Sequence, residues 1–273
     1  MCAVTTAPSA PGPTGRWAVA PDGTRIGFDV AGDGEPLLLL AGQANSRDWW
    51  GPVRPDLAGH RTIAVDHAGT GASDDVADGE WSTRRFAHDA VAVLDELGIG
   101  RAHVYGTSMG GRIAQWIAVD HPDRVGALVL GCTSAGGLGT APADRGILRT
   151  LAGPPGPARR ELVRLMVGER WAGPLPVLGD ASMTTRARAG HRRASARHDA
   201  WAALPGVTAP TLVLHGDADE YTPVANGRLL AERIPGAELV VLPGARHAYF
   251  LDRRRRASAE VLRFLAEHPL PAG

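Results

Sequence analysis

The chain has 273 residues, with 29 basic and 29 acidic side chains, 44% hydrophobic residues, 35 Gly, 21 Pro and two Cys. Apart from histidine every basic residue is arginine, which excludes Schiff-base lysine, serine–lysine and P-loop lysine chemistry. A formal charge of zero offers no field for a nucleic acid, and Cys2 and Cys132 are too few for a disulfide framework or a thiolate zinc site. Residues 1–15, rich in Ala, Pro and Thr, lack the basic start and apolar run of a signal peptide and read as a disordered tail on a cytoplasmic protein. Residues 16–20 and 24–30 flank Pro21-Asp22-Gly23 as an antiparallel hairpin. The continuous apolar run 36–41 is a strand buried on both faces, far too short to cross a bilayer.

A strand over 62–65 follows. A helix over 83–97 has Ser82 as N-cap and Phe86, Ala90, Val93, Leu94 and Leu97 on one face. A strand over 103–106, a helix over 109–119 and a strand over 127–132 continue the alternation. Between residues 133 and 205 that rhythm breaks into Arg-rich helical sequence interrupted by Pro154, Pro155, Pro174 and Pro176. It resumes with a strand over 211–215, a helix over 224–234, a strand over 238–242 and a helix over 254–265 that Asp252 caps. Such alternation requires right-handed crossovers and a mostly parallel sheet. The expected architecture is α/β: about eight strands flanked by helices, a core over 16–133 and 205–268, and a helical lid over 134–204.

Three segments carry chemistry. Gly106-Thr107-Ser108-Met109-Gly110-Gly111 lies between an expected strand and helix, where a tight turn lifts the Ser108 hydroxyl above the sheet edge. The same turn aims the Met109 N–H, at a helix N-terminus, toward an oxyanion forming beside Ser108. His215-Gly-Asp217-Ala-Asp219 ends a buried strand in a turn dense in carboxylates, and His247 sits on the loop after the last strand. A serine needs a base and an orienting acid to act as a nucleophile. The bland alternatives are a helix N-cap for Ser108, a turn carboxylate for Asp219 and an unpartnered loop histidine for His247.

In the order Ser108, Asp219, His247, and over nearly the whole chain from about Arg16 to Leu265, the sequence resembles the α/β-hydrolase fold family. The resemblance implies that His247 takes the Ser108 proton and returns it to the leaving group, while Asp219 fixes the imidazole. Asp217 competes for the acid role, but the family position favours Asp219 and leaves Asp217 to brace the turn. After Cys132 there is no carboxylate before Asp144, so the acid does not come from that strand. The second oxyanion donor is expected from the Gln43 N–H in Gly42-Gln43-Ala44-Asn45, where relatives read His-Gly. Asp66 to Asp74 resembles the family's Asp-x-Arg-Gly-x-Gly-x-Ser turn, with Ala68 in place of Arg, and is structural.

Candidate pocket residues are Asn45, Trp49, Trp50 and Arg193. His191 and His198 share the lid with Arg186, Arg188, Arg192, Arg193 and Arg197, which either grip an anion or form a solvated face. Trp171 and Trp201 are further pocket candidates, with core packing as their default. His67, His88, His103 and His121 lack metal-ligand spacing and read as structural, and Arg253 to Arg256 read as surface.

The resemblance implies a cofactor-free, metal-free serine hydrolase that cleaves a carboxylic ester or lactone of a small molecule. No membrane or nucleic-acid partner is expected, and oligomeric state is not readable. C–C bond hydrolases, perhydrolases and lyase- or cyclase-like enzymes use the same triad. A non-catalytic ligand receptor on the scaffold is the alternative of another class. A nucleophilic aspartate is not expected, because the turn holds Ser108.

Overall fold

A computed structural model describes residues 16–76, 80–169 and 171–271; the tail expected over 1–15 lies outside them. Eight strands form one sheet in the order β1-β2-β4-β3-β5-β6-β7-β8. They are β1 (Arg16–Val19), β2 (Arg25–Ala31), β3 (Pro36–Leu40), β4 (Arg61–Val65), β5 (Ala102–Thr107), β6 (Val125–Gly131), β7 (Thr211–Gly216) and β8 (Glu238–Leu242). β2 pairs antiparallel with both β1 and β4, and every other pairing is parallel.

Apolar strands on both sides of the pleat make two cores. Leu38 and Leu40 enter one, while Leu37 and Leu39 enter the other, as the two-residue period of a strand requires. Helices α1 (Thr83–Glu96) and α2 (Met109–Asp120) cover the first face. Ser82 caps α1 as expected, accepting from the Arg85 N–H at 3.1 Å. Between β6 and β7 run α3 (Arg145–Leu151), α4 (Pro155–Met166) and α5 (Thr185–Ala196). Among the described residues that insert holds no strand, and an isolated antiparallel bridge pairs Gly136 with Asp199.

The chain closes with α6 (Ala225–Arg233), the short α7 (Tyr249–Asp252) and α8 (Arg254–Glu267), which packs on the second face. Asp252 does not cap α8, contrary to the sequence reading. It ends α7, its carboxylate accepts from the Gly168 N–H at 3.1 Å, and the α8 N-cap is Arg253 without a side-chain bond. In the arginine run beside it, Arg254 pairs with Asp56 at 2.6 Å and Arg256 with Glu260 at 2.8 Å. Among the described residues no helix is long and apolar enough to cross a membrane.

The strand order reverses at β3, which lies between β4 and β5. In open parallel sheets such a reversal leaves a crevice beyond the carboxyl ends of the strands. Gln43 follows β3, Ser108 follows β5, Asp219 follows β7 and His247 follows β8, so all four meet at that edge.

Candidate active site

Ser108 stands between β5 and α2 with φ 55° and ψ −121°. A left-handed φ is costly for a residue with a Cβ, about 1–3 kcal/mol, and the surroundings hold it. The Ser108 N–H donates to the Gly131 carbonyl at 2.8 Å, and the Thr133 hydroxyl donates to the Ser108 carbonyl at 2.7 Å. Gly110 is required here: a Cβ would run into the Leu40 and Ala41 carbonyls of the adjoining strand end.

His247 Nε2 lies 3.1 Å from Ser108 Oγ, and its Nδ1 lies 2.8 Å from Asp219 Oδ2. With Nδ1–H donating to the carboxylate, the Nε2 lone pair faces the serine hydroxyl. Asp219 is buried, which pushes its pKa up, but His247 and His215 outweigh burial and hold it at about 2. Its other oxygen accepts from the Tyr221 and Thr222 N–H groups at 2.9 and 2.8 Å. A carboxylate so satisfied stays ionised and fixes the imidazole. Asp217 instead accepts from the Gly244 N–H at 2.6 Å and braces the turn.

The insert holds both loops that meet Ser108. At the end of α4, the Leu165 and Met166 carbonyls accept from the His247 and Ala248 N–H groups at 3.2 and 2.8 Å. On the other side Ala44, at φ 58°, donates its N–H to His191 Nδ1 at 3.1 Å. The other nitrogen of His191 donates to the Ala68 carbonyl at 2.8 Å, so the ring is neutral and bridges two loops. The Asp180 N–H donates to the Ala44 carbonyl at 2.7 Å. Asn45 donates to the Gln43 carbonyl at 2.8 Å and accepts from the Gly179 N–H at 2.9 Å. Its amide therefore braces the loop while also lining the cavity.

Two cavities meet at Ser108, Gln43 and Tyr221. The first, about 150 Å³, is lined by His247, Trp49, Met166, Val177, Leu178 and Arg188 among others. The second, about 240 Å³, lies against Arg112, Ser134, Leu148, Ser195, Thr222 and Asn226. Tyr221 stands edge-on to His247, ring centres 4.9 Å apart.

Two of the four candidate pocket residues are displaced. Trp49 lines the first cavity and anchors its indole N–H on Thr107 Oγ1 at 2.9 Å. Trp50 is fully buried against Tyr105 and Phe250, because neighbouring residues of the tight turn Arg47–Trp50 point in different directions. Arg193 is exposed on α5, and the arginines at the two cavities are Arg188 and Arg112. His198, buried, bonds Thr83 at 2.9 Å, away from the cavities. Arg112 and Tyr221 were not singled out from sequence. The available signal was spacing: Arg112 falls one helical turn after Ser108, and Tyr221 two residues after Asp219. Among the described residues no group of three His, Cys, Asp or Glu is arranged to hold a metal ion.

Known proteins resemble this chain over most of its length. The profile of the alpha/beta hydrolase fold matches residues 35–153, and one for serine aminopeptidase, S33, matches residues 181–254. The 2-hydroxymuconate semialdehyde hydrolase of Pseudomonas putida is 31% identical over 90% of this chain and 92% of its own. An esterase structure from Rhodococcus sp. ECU1013 superposes with TM-score 0.82 at 30% identity, covering 94% of this chain and 100% of that one. The structure of an N-acyl homoserine lactone degrading enzyme superposes with TM-score 0.77 at 31% identity, over 90% and 98% of the two chains.

Proposed function

Since the chain belongs to the α/β-hydrolase fold family and is a hydrolase, we propose that it cleaves a carboxylic ester or lactone of a small molecule through an acyl-enzyme on Ser108. The observation that carries this reading is the bonded chain Asp219–His247–Ser108, at 2.8 and 3.1 Å. His247 Nε2 accepts the hydroxyl proton as Oγ bonds to the carbonyl carbon, and the carbonyl electron pair moves onto oxygen. The Gln43 and Met109 N–H groups receive that oxyanion; no bond from either N–H is found among the described residues. Collapse breaks the carbon–leaving-group bond, and imidazolium Nε2–H protonates the departing oxygen. Water repeats the cycle and frees the acid and Ser108.

Residues 134–204 act as the lid in this reading, since the α4 end holds the His247 loop, His191 of α5 holds the Gln43 loop, and their residues wall the first cavity. The likeness to 2-hydroxymuconate semialdehyde hydrolase favours a second reading, hydrolysis of a C–C bond on the same three residues. Product analysis with an ester and with a vinylogous diketone separates the two. A complete bonded chain also speaks against a non-catalytic receptor. Ser108→Ala is expected to lose about 10³-fold or more of p-nitrophenyl ester turnover with its circular dichroism unchanged. Undiminished turnover in that folded variant overturns the proposal.

A further inference from the structure

The two cavities differ in one respect that bears on the substrate. His247 lines the first and not the second, while Arg112 lines the second and not the first. Under the acyl-enzyme reading, the leaving-group oxygen must come within hydrogen-bond reach of His247 Nε2. The leaving group therefore occupies the first cavity, whose walls include Trp49, Leu162, Met166, Val177 and Leu178, with the Arg188 guanidinium at its edge donating to the Asp180 carbonyl. The acyl chain is left with the second.

Arg112 is unusual among the described arginines. It follows Ser108 by one turn of α2, its N–H bonding the Ser108 carbonyl at 3.3 Å, so its side chain rises on the same helix face. Its guanidinium donates to the Ser195 carbonyl at 2.8 Å and to Ser134 Oγ at 3.0 Å. Those are neutral acceptors, and they take two of five N–H hydrogens. Among the described residues Arg112 has no carboxylate partner, and its Nε is buried without an acceptor. Burial pulls it below the usual arginine value, and its charge helps to hold buried His198 neutral. The residues lining its cavity include no Asp or Glu.

A half-buried cation whose Nε is shut off from water without an acceptor is costly, and a partner can arrive with the ligand. We propose that Arg112 binds a carboxylate on the acyl chain, so that the substrate class is the half-ester of a dicarboxylic acid with an apolar alcohol. A planar guanidinium suits this task because it meets a carboxylate with two parallel N–H donors and stays charged at any working pH. Arg112 is then a specificity-determining residue one helical turn from the nucleophile.

This inference rests on the acyl-enzyme reading, and the test separates their failures. kcat/KM is measured for mono-p-nitrophenyl glutarate and for p-nitrophenyl butyrate with wild type, Arg112→Met and Arg112→Lys. Wild type is expected to prefer the glutarate half-ester. Arg112→Met lowers the glutarate-to-butyrate ratio by about 30-fold or more, and Arg112→Lys restores part of it. Because Arg112 also ties Ser134 and Ser195 together, wild type alone supplies a second reading: glutarate competes with butyrate hydrolysis, and neutral glutaramide does not. Butyrate hydrolysis with a ratio indifferent to Arg112, or with equal inhibition by glutarate and glutaramide, overturns the role of Arg112 and leaves the acyl-enzyme standing. Failure of wild type to cleave either ester or to label Ser108 with a fluorophosphonate overturns both.

Discussion

Across 139 residues of chain, His247 Nε2 comes within 3.1 Å of the Ser108 hydroxyl. The separation is bridged by parallel strands that deliver every loop to one sheet edge, and by an insert whose α4 carbonyls fix the His247 backbone. The same two-sided clamping holds the Gln43 loop through His191. The insert is therefore expected to govern geometry at Ser108 as well as access to it.

Asp219 and Asp217 stand two residues apart but do different work. Asp219→Asn removes the acceptor that fixes the His247 tautomer and should lower kcat by about 10³–10⁴-fold. Asp217→Asn weakens only the brace to Gly244 and should keep turnover within a few-fold while lowering the melting temperature. Steady-state kinetics and thermal melts on the two variants check this, and the reverse ranking would move the acid to Asp217.

His191→Leu removes the acceptor for the Ala44 N–H and the donor to the Ala68 carbonyl at once. The loop carrying Gln43 then loses its register with Ser108. A fall in kcat of about tenfold or more is expected, consistent with disturbance of one oxyanion donor. Unchanged kcat in a folded variant contradicts the clamp.

Gly110→Ala would place a methyl group against the backbone of the β3 end. Neither strand nor helix can give way there, so urea denaturation should show a loss of about 3 kcal/mol or more, or no folded protein. A variant as stable as wild type would show that the turn is looser than described.

Three buried histidines tie stability to pH. Burial, first among the causes, pulls His67 and His198 down to about 3 and His191 to about 4, from 6.5. The unfolded chain takes up those protons below pH 6.5 and the folded protein does not, so this stabilisation is present above 6.5 and lost as pH falls toward 4. Asp89, raised by burial to about 7, works in the opposite direction as pH rises from 3.8. Burial also lowers His60, His103 and His121 and raises Asp66 and Asp252, so the histidines outnumber the carboxylates and urea midpoints should fall between pH 7 and pH 5. His198→Gln should flatten that slope by up to about 1.4 kcal/mol per pH unit. An unchanged slope would mean that His198 is protonated in the folded state.

The strands and the turn at Ser108 were legible because the signals are local. β3 is an unbroken apolar run, and the glycines around Ser108 answer contacts with the neighbouring strand and helix. The cavity walls were not legible, because they depend on the phase of elements with weak hydrophobic contrast. The buried side of α5 is Ala187, Gly190, His191 and Ala194, residues of little apolar weight. With that phase hidden, Arg193 looked as eligible as Arg188. Five residues along a helix turn the side chain by about 140°, enough to put one at the cavity and the other in solvent. Trp49 and Trp50 pose the same problem inside a single turn. Arg112 escaped notice because its significance is the lack of a carboxylate partner, which only packing can reveal.

The most direct test of the central claim is acid-quenched mass spectrometry of the protein mixed with a p-nitrophenyl ester. The acyl-enzyme account predicts a mass increase equal to one acyl group, mapped to the peptide containing Ser108 and absent from Ser108→Ala. Full turnover by wild type with no acyl group on Ser108, or with the same adduct in Ser108→Ala, would contradict it.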